Sequence, residues 1–506
     1  MATYYFRSTG TNWGATGDWS ATPSPTYSAG AVPTTLDNAV FEAASANCII
    51  NAGATRNCLN LTCTSYTGTL TFDTELIVTG NVALGSSSMT MAGSSSLRLT
   101  PGTTLSLSSL GCICSVTMII QKSTGTATLT WGSNWTQSGA FILSGTTAWT
   151  WNGNTITFKG SSVQWNNLSS VVGTSALVFA PDLGTTMNIT SSTNARWAMA
   201  SVTINGAGDV NINISLLTLS TIFTHINGAV THTGTILLAG FNTFDASGMS
   251  FQNCQTNNST NTTTLISDLN FTGNFTIPSS IANINGPGIN VNIGGNFTNN
   301  NAGGSPSGTA KIVMTGTGTI SGTSTGNLSN TLIINTSGTI TFSGTISWLR
   351  TFIFTSGTIV STGSTVACPA VSSFTINNSG FNLANFSALN NVVFSGTHGC
   401  TFETYTGQGT GVTHTFGSNL IYTTNSLTFL GVASNNAIIR SSTPGTTTIL
   451  TVPYGGSLDV GHVTATDIDS SNGRTIWVYK GTIGAATLNW QQLPTIPKTI
   501  GVPWVR

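Results

Sequence analysis

Most of the chain alternates apolar and polar residues in short phrases set off by glycine: Gly68-Thr-Leu-Thr-Phe72, Gly80-Asn-Val-Ala-Leu84, Gly153-Asn-Thr-Ile-Thr-Phe158, Gly273-Asn-Phe-Thr-Ile277 and Gly338-Thr-Ile-Thr-Phe342. A period of two puts alternate side chains on one face, so Leu70 with Phe72, and Ile340 with Phe342, point into a core while the threonines face outward. These phrases predict short strands. No stretch of helical period longer than two turns interrupts them, which removes the crossover helices that an open parallel sheet requires. Residues 338–360 carry three strand-turn units in succession. Two or three such units close a coil of roughly 20 to 25 residues, within the repeat lengths of solenoids. The predicted fold is all-β: a right-handed parallel β-helix, or β-solenoid, of about 18 coils stacked at the inter-strand spacing.

Exposed end coils need covers, and both ends of the chain change character. Residues 1–45 gather Tyr4, Tyr5, Phe6, Trp13 and Trp19 with a turn-rich stretch through Pro23, Pro25 and Pro33, and read as an N-terminal cap or docking element. Residues 46–458 form the solenoid, with Asn-rich corners such as Asn205-Gly206 and Asn227-Gly228 suited to positive-φ turns. Residues 459–506 hold a denser set of charges and the phrase Asp467-Ile-Asp-Ser-Ser-Asn-Gly-Arg-Thr-Ile-Trp477, and read as a C-terminal cap or docking element.

Composition narrows the function classes. Only 5% of the 506 residues are charged, against about 25% in an ordinary soluble domain. Disorder is excluded by 39% hydrophobic residues, including 23 Phe and 12 Trp. Thirteen basic and thirteen acidic residues leave no stripe for nucleic acid, and a net charge of zero favours association. No run of apolar residues reaches the roughly 18 to 20 that a membrane helix needs, so membrane insertion is not expected. The opening residues Met1 to Gly10 lack the basic and apolar regions of a secretory signal. The eight cysteines sit in apolar strand phrases, and buried free thiols are expected.

The opening phrase with Trp13, Asp18-Trp19, Val32-Pro33 and Asp37-Asn38-Ala-Val-Phe41, the Gly-Thr-Leu-Thr-Phe coils, and the closing Asp469-Ser-Ser-Asn-Gly-Arg-Thr-Ile-Trp477 with Asn489-Trp490 resemble β-helical fibre, spike or appendage proteins of tailed bacteriophages. The style is shared with bacterial surface adhesins. The resemblance implies a structural virion protein, assembled in the host cytoplasm as a homotrimer, that contacts other virion proteins and a host-surface glycan. No enzyme activity and no cofactor are expected.

Candidate chemistry is sparse. Glycoside hydrolysis needs paired carboxylates roughly 5 to 10 Å apart, and Asp245 with Asp268, one coil apart in sequence, is the best pair. The structural alternative is that each caps a turn, and no catalytic residue is assigned. Asp459, Asp467 and Asp469 with His462 and Arg474 form the densest ionisable cluster. Asp467 and Asp469 are expected to shape the following turn while Arg474 pairs with one of them. Asp467, Asp469, Arg474 and Trp477, with Trp13 and Trp19, are the docking or cap candidates. His225 and His232, seven residues apart, fall on opposite faces of a continuous strand unless a turn intervenes, and no metal site is assigned. Trp131, Trp135, Trp149, Trp151 and Trp165 form either an aromatic stack inside the solenoid or at a subunit contact, or a platform for glycan rings. A polysaccharide-depolymerising tailspike and an exported adhesin are the alternative functions.

Overall fold

A computed structural model describes residues 1–493 except 52–55, 123–125, 146–147, 167–170, 221, 240–241, 257–261, 279–282, 301–307, 323–326, 329, 349–350 and 380. The chain is a parallel β-solenoid of about 18 turns, 59% strand with essentially no helix, as its alternating pattern predicts. It divides into two compact units, Met1–Gln255 with Asn261–Leu269, and Thr256–Thr260 with Asn270–Arg506.

In the first unit, register stacks like on like. Leu76, Leu97, Met118, Phe141, Val163, Ile189 and Ile212 follow one another in successive coils as a single buried column. A second column runs through Trp135, Ile156, Leu177, Val202, Phe223, Phe244 and Leu265. Each strand fills its hydrogen bonds from the coils on either side, so the backbone of an interior coil is satisfied while its apolar face is removed from water. Polar rows run along the outside: Asn60 Nδ2 donates to Asn38 Oδ1 at 2.7 Å, 22 residues back, and Asn60 Oδ1 accepts from the Asn81 amide at 2.7 Å.

The N-terminal segment is built into the first coils. Thr3–Phe6 pairs parallel with Asn38–Val40 and antiparallel with Trp19–Ser20. Trp13 and Trp19 are fully buried, with ring centroids 4.9 Å apart, against Phe6 and Phe41. The Trp19 indole donates to the Trp13 carbonyl at 2.7 Å. Asp18 accepts from the Thr11 and Asn12 amides at 2.9 and 2.7 Å, and Arg7 Nε donates to the Trp19 carbonyl at 3.1 Å. Trp13 and Trp19 therefore fill the interior of a lid and present no docking surface, because the apolar end of the coil stack claims them.

The second unit repeats the scheme with a phenylalanine-rich interior. Ile312, Leu332, Phe352, Phe374 and Phe394 are in register, as are Val366, Phe386, Tyr405 and Leu427. Its end tightens into short loops: of six non-glycine residues with positive φ among those described, five are His462, Asp467, Lys480, Ala486 and Asn489. Ile476–Val478 pairs with Trp490–Gln492, and the Trp490 indole donates to Ser470 Oγ at 2.9 Å.

Where one coil leaves a strand directly over the carbonyl of the coil beneath, only glycine fits. Gly153 has φ +108°, and a Cβ there would lie 2.2 Å from the Trp131 carbonyl oxygen. Gly153→Ala is expected to cost at least about 1–2 kcal/mol from the left-handed backbone alone, read as a fall in the denaturant midpoint. Gly17→Ala, where nothing lies within 4 Å, should leave that midpoint unchanged.

Candidate functional site

The five clustered tryptophans lie inside the first unit. Trp131, Trp135, Trp149, Trp151 and Trp165 are each at most 1% exposed. Trp131 packs 5.6 Å from both Trp135 and Trp151, and Trp151 packs 5.7 Å from Trp165. Phe141, Phe158, Phe179 and Trp197 continue the stack. No glycan reaches these rings on the folded chain. Thr150, between Trp149 and Trp151, takes the outward position in the strand Trp149–Gly153.

The acid candidates are not register partners. Strand Asn242–Asp245 sets Phe244 beside Leu265, and the Ala246 amide donates to Ser267 Oγ at 2.8 Å, so Ser267 stands against the turn after Asp245. Asp245 Oδ1 accepts from the Ser247 amide and hydroxyl at 3.2 and 2.7 Å. Burial raises its pKa, but hydrogen bonds from Ser247 and Ser267 outweigh this and hold the carboxyl below its ordinary range. That is the turn-capping alternative. Asp268 lies exposed beyond this turn.

At the C-terminal end, Asp467 does not shape the following turn as expected: it is buried at φ +57°, and its carboxylate accepts from the Gly445 amide, 22 residues back, at 3.0 Å. Asp469 Oδ1 accepts from the Ser471 amide at 2.8 Å, shaping the turn as expected. Arg474 departs from expectation: its guanidinium donates to the Gly456 carbonyl and pairs with neither aspartate. Both aspartates are already committed to backbone amides, and a carbonyl is what the guanidinium meets. Trp477 is 40% exposed. Among the described residues, no group of three or more His, Cys, Asp or Glu is placed to hold a metal, and no helix is long and apolar enough to cross a membrane.

His225 and His232 are both buried, because the turn at Gly228, φ +91°, restores His232 to the inward face. His232 continues the column below Ile212, and neither ring nitrogen has a hydrogen-bond partner. His414 is buried in the second unit: the Tyr405 hydroxyl donates to Nδ1 at 2.6 Å, and Nε2 donates to the Asn390 carbonyl at 3.2 Å, the pattern of a neutral ring. Burial pushes both histidines down to about 4. All eight cysteines are free and buried. Cys112 and Cys114 share the inward face while Ile113 between them points out. Burial raises every thiol, Cys112 to about 11 and Cys368 to about 12.

The second unit carries a cleft of about 520 Å³ that the candidates above do not include. In successive coils Asn382, Thr401 and Thr423 share one register row, and Asn385, Thr404 and Ser426 share another. Ala384, Glu403 and Asn425 lie between these rows and line the cleft with Ser361 and Thr362. A second hollow of about 380 Å³, which includes His398 and Asn419, shares Asn382 and Thr401 with the first. The rims carry exposed apolar side chains, Val360 on the first hollow and Ile421 on the second. Glu403 is the only acid between Asp268 and Asp459. Among the described residues neither Glu403, Asn382 nor Asn425 makes a side-chain hydrogen bond to protein, whereas Asn385 is anchored by donating to the Ser364 carbonyl at 3.0 Å. Unspent acceptors and amides in a concave surface suit a hydroxyl-bearing ligand. Sequence reasoning passed over Glu403; its isolation in an otherwise acid-free stretch was the available signal.

Comparison with protein-family models, with curated proteins and with solved structures finds no match to this chain.

Two outcomes follow from the buried titratable groups. Ellman's reagent should find none of the eight thiols in the native protein and all of them in denaturant; prompt native labelling would contradict their burial. For His232 and His414 the folded pKa lies below the unfolded value, so the unfolded chain binds more protons between pH about 6.5 and about 4. Stability is full above this window and is lost as pH falls through it, by about 3 kcal/mol per histidine. The denaturant midpoint should drop between pH 7 and pH 4.5, and His232→Phe should remove about half of the drop.

Proposed function

We propose that the chain is a non-enzymatic structural component of a tailed-phage particle, a fibre, spike or surface appendage that presents a rigid coil stack to the host surface. It assembles as a homotrimer and binds other particle proteins. The observation that carries this reading is the use of parallel coils within each unit: their backbone pairing and shared core make a stiff scaffold. The near absence of charge, 5% of residues, favours association between uncharged surfaces. An attachment role also fits a cleft in which Glu403 is the sole acid among the lining residues, since hydrolysis of a glycosidic bond calls for a second carboxylate.

Mass spectrometry of purified particles tests the assignment. The chain is expected among the particle proteins at a copy number divisible by three; its absence from particles that retain infectivity would defeat the proposal.

A further inference from the structure

We infer that the cleft around Glu403 is a binding groove for an uncharged oligosaccharide, laid along the coil-stacking direction across the row that begins at Asn382. This deepens the attachment reading by naming a ligand class, but it stands on the groove itself.

Three features on the same surface point to this ligand. First, the polar groups recur from coil to coil. Asn382, Thr401 and Thr423 follow one another in one register row, and Asn382, Asn385, Thr401, Glu403 and Asn425 line the cleft together. Neighbouring coils are about 4.8 Å apart, so a chain of linked rings lying across them meets hydroxyl and carboxamide groups repeatedly. Second, polar groups in the lining are free to bind. Glu403, Asn382 and Asn425 spend no side-chain hydrogen bond on the protein among the described residues, unlike Asp18, Asp245, Asp467 and Asp469, which are committed to backbone amides. A carboxylate accepts two hydroxyl protons from neighbouring ring positions in charge-assisted bonds, and a carboxamide both donates and accepts. Third, the charge is selective. No lysine or arginine lines either hollow among the described residues. An anionic polysaccharide or a nucleic acid would bring its charge to Glu403 with no cation to pair it.

The apolar rim formed by Val360 and Ile421 offers contact to the C–H faces of the rings. No aromatic platform is exposed in the lining, since the Phe402 ring is buried. Binding by one groove is therefore weak, and several copies in one particle would raise it through avidity. A lone carboxylate also leaves the ligand uncut, because neither cleavage geometry is available to one acid.

The test is titration of the intact chain with maltoheptaose, chitohexaose and hexagalacturonate, followed by calorimetry or ligand-observed NMR. At least one neutral oligomer is expected to bind and remain uncleaved, with the anionic hexamer at least tenfold weaker. Glu403→Gln should weaken the neutral ligand about tenfold and narrow its preference over the anionic one. Asn425→Ala should weaken binding as well, and both variants should keep the parent denaturant midpoint. No binding by any of the three, preference for the anionic hexamer, or affinity indifferent to both substitutions would overturn the inference. None of these outcomes bears on whether the chain belongs to a particle, which mass spectrometry decides separately.

Discussion

Axial register is the constraint from which the rest follows. Every interior strand takes its backbone hydrogen bonds from the coil before and the coil after, so a one-residue slip would turn a whole apolar column toward water. Leu97 between Leu76 and Met118, and Phe374 between Phe352 and Phe394, show the register held by like residues stacking on like. Because that arrangement satisfies the backbone and buries the apolar face together, the chain needs few charges. The two ion pairs found among the described residues, Arg98 with Glu75 and Lys159 with Asp182, sit at the partly exposed surface, where such pairs contribute little.

The same constraint sorts the chemistry of the side chains. Inward positions tolerate thiols, neutral imidazoles and indoles but leave their polar atoms short of partners, as the unbonded indole nitrogens of Trp131, Trp149, Trp151, Trp165 and Trp197 show. Outward positions carry Asn, Ser and Thr in rows that bond from coil to coil, such as Asn211 to Asn188 at 3.2 Å and Asn292 to Asn270 at 2.8 Å. Groups bonded along such rows are spent on the scaffold. Functional capacity is left where a bend opens the surface and the polar side chains have no partner in the next coil, which is the situation of Glu403 and Asn425.

Much of the fold was legible because period-two alternation and turn glycines are local signals. Leu70 and Phe72 point inward as their pattern requires, and the inter-coil steps, such as 19 residues between Asn382 and Thr401 and 31 between Leu427 and Leu458, follow from the spacing of the strand phrases. Sites were far less legible, because they depend on register across coils, which local pattern leaves open by a residue or two. Asp245 and Asp268 are not register partners for that reason: the register here pairs Phe244 with Leu265 and brings Ser267 to the turn. Parity correctly put Trp149 and Trp151 on one face, but parity does not say which face; the outward threonine between them does. Arg474 bonds a carbonyl that is distant in the local phrase. The importance of Glu403 depends on a concavity that no short pattern encodes.

The register claim is tested most directly by paired nitroxide labels on the outward row Asn188, Asn211 and Thr231, whose members follow one another in successive coils. Burial of the native thiols leaves introduced cysteines as the reactive ones. Labels at 188 and 211 should show strong dipolar broadening at a separation of one coil, about 4.8 Å between backbones, and labels at 188 and 231 a weaker effect at about twice that distance. Broadening that is absent from the first pair, or greater in the second, would contradict parallel in-register stacking and the account built on it.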